Sequence, residues 1–173
     1  MGVEPSEWAA NFARENQLPI LNGTLHNPEL EDESFDVITM FDVIEHLGDP
    51  LGELRQAYTK LKPGGTIAVH TMDVDSLISR LMGKRWPWYM AMHVQYFSQA
   101  TMAQFLEKAG FEVIWTGTQG RYLRLHYLAG RLHGIHSLLG RLADFTVNTL
   151  NLGDRAVPIN FGDLFTVYAR RVD

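Results

Sequence analysis

Apolar residues along this chain alternate between two regimes. Unbroken runs at Gly2–Glu4, Pro19–Leu21, Phe35–Phe41, Thr66–Thr71 and Phe111–Thr116 read as strands, because a strand buried on both faces shows a continuous hydrophobic run. Between them, apolar positions recur at helical spacing. Trp8, Ala9, Phe12 and Ala13 follow Pro5-Ser6, a helix start in which proline fits the first turn and serine can cap. Asp49-Pro50 opens a second helix to about Leu61, which Lys62-Pro63-Gly64-Gly65 ends. Ser98 caps a third, from Gln99 to Ala109, and Gly110 closes it. Strands alternating with helical segments predict βαβ units and a mainly parallel α/β sheet.

The later part of the chain differs in kind. Helical spacing from Tyr122 to about Leu152 is interrupted by Gly130, Gly134 and Gly140, which predicts two helices or one kinked helix. Phe161–Arg170 reads as a final antiparallel strand, paired back after Phe111–Thr116 by a hairpin-like return. Residues 1–173 are expected to form one domain, with 120–152 a helical insertion or lid within it.

Composition narrows the function. A chain of 173 residues can bury a sizeable core, and a net charge of −5 gives no support for nonspecific attraction to nucleic acid or to anionic membranes. The absence of cysteine removes disulfides, cysteine–zinc sites and thiol catalysis together. No basic-then-apolar leader follows Met1, and no apolar run approaches the roughly 20 residues of a transmembrane helix. A soluble, cytoplasmic protein is the expectation.

Candidate chemistry concentrates beyond the strand Phe35–Phe41, since ligands of open α/β sheets gather at the carboxyl ends of strands. There the chain reads Phe41-Asp42-Val43-Ile44-Glu45-His46. Glu45 and His46, as sequence neighbours, need not face each other. His46 is either a general base, a role imidazole suits near neutrality, or a histidine that fixes the turn by hydrogen bonding. The segment Lys84–His93 gathers two Trp, one Tyr and two Met, and is either a substrate-side wall or a seal over the sheet edge. Glu4, at the end of its strand, could accept bonds from ribose hydroxyls or complement a helix dipole. Arg121, Arg124, Arg131 and Arg141 with His126, His133 and His136, against Asp144, fit either an amphipathic lid or interfacial helix or, more commonly, a solvated helical face that packs leucines onto the sheet. Without cysteine or nearby carboxylates, no metal site is expected there or elsewhere.

Taken together, Gly2-Val3-Glu4-Pro5-Ser6, the Phe35–Leu47 stretch and His93-Val94-Gln95-Tyr96-Phe97-Ser98 resemble the class I S-adenosylmethionine-dependent methyltransferases of the type 11 and type 23 kind. The resemblance implies a Rossmann-like sheet and S-adenosylmethionine as cofactor. It places Glu4 on the ribose, Pro5 and Ser6 beside the adenine, Thr24 and Leu25 at the adenine edge, and Phe41, Asp42 and Val43 beneath the methionine part. Gly23-Thr24-Leu25 departs from the acid that commonly follows that glycine, and Leu25 in the core with Thr24 in a turn is the plainer reading. Trp86, Trp88, His93 and Tyr96 fall where the family contacts substrate. The implied reaction is methyl transfer to a small-molecule or glycan/lipid-like acceptor.

The family's first strand and Gly-x-Gly-x-Gly-like loop have no counterpart before Gly2, so the sheet is expected to be incomplete and cofactor binding weak. That strand would lie between Gly2–Glu4 and Phe35–Phe41. Those two are therefore expected to pair directly, recruit another segment or exchange with a second copy in a homodimer. Two other functions fit parts of the sequence: a catalytically silent interaction module, and an NAD-dependent oxidoreductase, which shares the acid after the second strand but explains neither the Phe41–His46 turn nor His93–Ser98.

Overall fold

The computed structural model describes residues 1–133 and 137–172; Gly134 and His136 lie outside the described residues. The chain opens with β1 (Gly2–Glu4), α1 (Glu7–Glu15) and β2 (Ile20–Asn22), and β1 pairs with β2 in parallel. As the sequence predicts, Ser6 caps α1, its Oγ accepting from the Ala9 amide at 3.3 Å.

A four-stranded sheet follows, built from β3 (Phe35–Phe41), β4 (Leu61–Met72), β5 (Phe111–Thr118) and the last strand, β8 (Leu164–Arg171). The order is β3-β4-β8-β5. β3 and β4 are parallel, and β8 runs antiparallel to both β4 and β5, so only the last strand opposes the others. Its return goes further than a hairpin partner for β5, because it lies between β5 and β4. The Lys62–Gly65 turn is absorbed into the start of β4: Phe35 faces Leu61 but Val37 faces Thr66, and Gly64 takes the left-handed conformation at φ 76°.

Two helices cover the sheet. α2 (Pro50–Lys60) is capped by Asp49, whose Oδ1 accepts from the Gly52 amide at 2.9 Å. α4 (Gln99–Lys108) begins in a capping box of Ser98 and Thr101. Leu54 and Ala57 of α2 and Met102 and Leu106 of α4 pack with Ile67, Val69, Phe165 and Val167 of the sheet in a fully buried core. That core fixes the carboxyl ends of β3 and β4, where the chain turns outward. α3 (Leu77–Met82) and a loop through His93 lie beyond β4.

The insertion holds two helices, α5 (Leu125–His133) and α6 (Ser137–Thr149), packed on each other. It differs from the sequence prediction at its start. Arg121–Arg124 is a strand, β6, paired antiparallel with β7 (Ala156–Ile159), and not the first turn of a helix. Its residues alternate half-buried and exposed, the period of a strand, and hydrogen bonding to a distant segment outweighs local helical spacing. None of the described helices is long and apolar enough to cross a membrane.

β1 and β3 are not paired. They belong to separate sheets, and among the described residues the outer edge of β3 has no strand partner. Of the three arrangements expected from the sequence, direct pairing is not made and no other described segment pairs between the two strands; a cavity lined by both lies there.

Candidate functional site

This cavity, about 380 Å³, brings together five residues expected to be near one ligand: Glu4, Pro5, Thr24, Leu25 and Val43. Its remaining wall comes mostly from β1, Leu30 and the β3 residues Phe35 to Met40, so it is largely apolar. Glu4 is held at its rim, with Oε1 accepting from the Ser6 amide at 2.8 Å at the start of α1. Asn22 braces the same corner, its Nδ2 donating to the carbonyls of Glu4 and Pro5 at 2.9 and 3.2 Å. Ser6, Phe41 and Asp42 do not line the cavity.

Phe41 and Asp42 instead face a polar network at the ends of β3 and β4. Phe41 is half exposed and meets the His70 ring edge-on at 5.8 Å. Asp42 adopts φ 56°, a left-handed conformation that aspartate tolerates better than most residues, and its amide donates to the His70 carbonyl at 3.0 Å. Its carboxylate pairs with the Arg121 guanidinium at the start of β6. That guanidinium lies 5.2 Å from the centre of the Trp88 ring, a cation–π contact. His70 is buried; burial first, and then the nearby Arg121 charge, push its pKa below the ordinary 6.5, against an opposing pull from Asp42. The Thr166 hydroxyl donates to Gln119 at 2.7 Å, which leaves it to accept from His70 Nδ1–H at 2.9 Å.

A second group forms one turn later. Ile44–His46 is a single 3₁₀ turn that buries Glu45 to 1 % exposure and leaves His46 exposed. Glu45 Oε2 accepts from the Thr71 hydroxyl at 2.9 Å, while the buried Oε1 has no hydrogen-bond partner. The Glu45 carbonyl accepts from the amides of Val94 and Gln95, which brings the His93 loop back over the turn. His46 and His93 stack edge to face at 4.9 Å. Each ring places Nδ1 against a backbone carbonyl, His46 on Met92 at 2.9 Å and His93 on Trp88 at 2.8 Å. Glu45, His46 and His93 each offer one ligand atom within 4.8 Å of the others. Sequence reading named both histidines but missed Glu45 as a partner; the available signal was an acid–imidazole doublet ending an apolar strand.

The aromatic loop divides in two. Trp86 is 1 % exposed and packs with Met72 and Leu164 in a small second core, so it is an interior residue and not part of a surface wall. Its indole N–H donates to Asp163 Oδ2 at 3.0 Å, and Trp88 donates to the same oxygen at 2.9 Å. An indole buried with its N–H satisfied is worth more to packing than to a mobile cover. Trp88 and Tyr96 remain partly accessible, Tyr96 donating to the Met90 carbonyl at 3.4 Å. In the insertion, His133 pairs with Asp144 at 2.6 Å.

A family model for a methyltransferase domain matches residues 1–115. The probable S-adenosylmethionine-dependent methyltransferase of Mycolicibacterium smegmatis is 35% identical over 101 residues, 58% of this chain and 38% of that protein. The ubiquinone biosynthesis O-methyltransferase of Vibrio parahaemolyticus is 28% identical over 142 residues, covering 76% of this chain and 60% of that enzyme. The chain thus spans less than two thirds of the length of either relative. Among solved structures, a S-adenosylmethionine-dependent methyltransferase from Thermotoga maritima, described as a possible histamine N-methyltransferase, matches with a TM-score of 0.65 and 25% identity over 99% of this chain and 72% of that one.

Proposed function

From the premise that this chain belongs to the S-adenosylmethionine-dependent methyltransferase family, we propose that it moves a methyl group from that cofactor to a small-molecule or glycan/lipid-like acceptor. The observation that carries the reading is the convergence of Glu4, Pro5, Thr24, Leu25 and Val43 on one cavity. Its volume lies within the roughly 300–1,000 Å³ of small-molecule sites. A fixed carboxylate at its rim and an apolar wall suit a nucleoside, with Glu4 taking the ribose hydroxyls, Pro5 and Leu25 beside the base and Val43 toward the methionine part.

The cofactor, when bound, supplies an electrophilic methyl carbon on a sulfonium. Much of the rate of such an in-line displacement comes from holding the acceptor in line, so the chain's own contribution is chiefly positioning. Trp88, Tyr96 and His93 form the acceptor side in this reading, and His46, with Nδ1–H spent on the Met92 carbonyl, keeps Nε2 free to take a proton. Oxygen is the favoured acceptor atom, since relatives act in ubiquinone biosynthesis as O-methyltransferases. The cytoplasm is the proposed location. No arrangement of residues favours the silent interaction module or the NAD-dependent oxidoreductase.

Calorimetric titration tests the proposal. Saturable binding of S-adenosylhomocysteine supports it; saturation by NAD with none by S-adenosylhomocysteine overturns it.

A further inference from the structure

We infer that Glu45, His46 and His93 form a binding site for a divalent transition-metal ion. The three ligand atoms lie within 4.8 Å of one another, although His93 comes from a different loop than the Glu45-His46 doublet. Three separate features orient them. A backbone carbonyl can only accept, so the Met92 and Trp88 carbonyls fix Nδ1 of His46 and His93 as N–H donors; each ring then has its Nε2 lone pair left to give. The Thr71 hydroxyl holds Oε2 of Glu45. Glu45 Oε1, at a residue 1 % exposed, is left with no hydrogen-bond donor.

Such an oxygen calls for a cation, and the two imidazoles beside it are donors that a simple ion pair does not need. Carbonyls behind ligating histidines and a hydroxyl behind a ligating carboxylate are the outer contacts that metal sites use to set tautomer and direction. Two nitrogens and one oxygen without a thiolate suit zinc, manganese or cobalt(II) better than magnesium or calcium, which favour oxygen-only shells. Ligands about 2.0–2.1 Å from a tetrahedral ion stand roughly 3.3–3.4 Å apart. The three side chains, each of which brings a ligand atom within 4.8 Å of the others, therefore need only draw closer on binding, a movement the exposed His46 ring can make.

Three protein ligands leave at least one position open, and the exposed side of His46 turns it toward solvent. The site lies beside Thr71 on β4 and Trp88, where the acceptor is placed above; that an acceptor oxygen takes the open position rests on the proposed function, whereas metal binding does not, and with the ion bound His46 Nε2 is a ligand and not the proton acceptor.

Titration of the chelator-treated full chain with Co²⁺, followed by visible absorption, tests the site. The expected result is a saturable band that Zn²⁺ displaces, with affinity lowered at least about 100-fold in His46→Gln and His93→Gln. His46 is exposed, so its variant keeps the fold, and far-ultraviolet circular dichroism checks this; Glu45→Gln supplies the third ligand test where it folds. Absence of saturable binding by the folded chain up to millimolar Co²⁺, or binding unaltered in both histidine variants, overturns the site. Saturation that depends on these residues supports it whether or not S-adenosylhomocysteine binds, so failure here and failure of the methyltransferase reading are read out separately.

Discussion

Asp42 and Arg121, 79 positions apart, are joined carboxylate to guanidinium. The pair ties the turn after β3 to the first residue of β6, and the Trp88 ring beneath Arg121 adds the aromatic loop to the same junction. Both side chains are partly exposed, at 27% for Arg121 and 42% for Asp42, so the pair contributes little to global stability and more to where the insertion sits. Arg121→Met is expected to change the unfolding midpoint little. It should raise amide exchange in β6 and β7 well above that in β4, as hydrogen exchange measures; equal change in both would disprove a local latch.

His70 beside this pair gives a pH prediction. Folding lowers its pKa below 6.5, chiefly through burial and then through Arg121, so as pH falls the unfolded chain takes up the proton before the folded one does. The stability that follows from keeping His70 neutral is therefore fully present above about pH 6.5 and is lost as pH falls through the lower folded value. Urea melts of the wild type should show stability falling over that acidic window, and His70→Gln should flatten the fall. In Arg121→Met the His70 pKa, followed by NMR, should move up toward its ordinary value; movement downward would contradict the assigned cause.

Glu4 carries the cofactor prediction. Glu4→Ala should weaken S-adenosylhomocysteine binding by about 1.5–3 kcal/mol, the scale of hydrogen bonds to a charged group. The Ser6 amide would lose its carboxylate partner as well, so the melting temperature is measured alongside. A fall in stability with unchanged affinity would make Glu4 a helix-start residue only.

Trp86 and Trp88 share Asp163 yet are expected to separate cleanly. Trp86→Ala removes a buried ring, and its cost should approach the about 3–5 kcal/mol of large aromatic truncations. Trp88→Ala should cost much less in denaturant stability and more in acceptor turnover. Similar stability losses in both variants would place Trp88 in the core beside Trp86.

What the sequence made legible follows from the range of the forces involved. The caps Ser6 and Ser98 act within three residues and appear where their spacing predicts, and the helix expected to open at Asp49-Pro50 does so with Asp49 as its cap. The alternation of strands and helices, a property of local period, also carries through. Arg121–Arg124 departs from the helical spacing because its strand exists only through pairing with Ala156–Ile159. Burial of Trp86 depends on Asp163 and Leu164 arriving from the far end of the chain. The grouping of Glu45 with His93 depends on two amides returning to one carbonyl. Resemblance to a family named five residues that line one cavity, where local pattern named only Glu4, and it also named Asp42, which the structure pairs with Arg121 outside that lining.

The open side of β3 yields the last prediction. Its backbone donors and acceptors on that side have no strand partner among the described residues, and Val37 and Phe41 are 58% and 53% exposed. An unpaired, apolar edge is a template for another strand, and a second copy of the chain presents the same edge. Self-association through β3 is therefore expected at working concentrations. Light scattering should show a mass that rises with concentration, and Val37→Lys, which sets a charge on the exposed position, should return the chain toward a monomer without lowering its melting temperature. β1 lies across the same cavity, so S-adenosylhomocysteine and association should compete if the partner strand enters between β1 and β3. A monomer that stays monodisperse from micromolar to near-millimolar concentration would show that charge and the neighbouring cavity walls protect this edge without a partner.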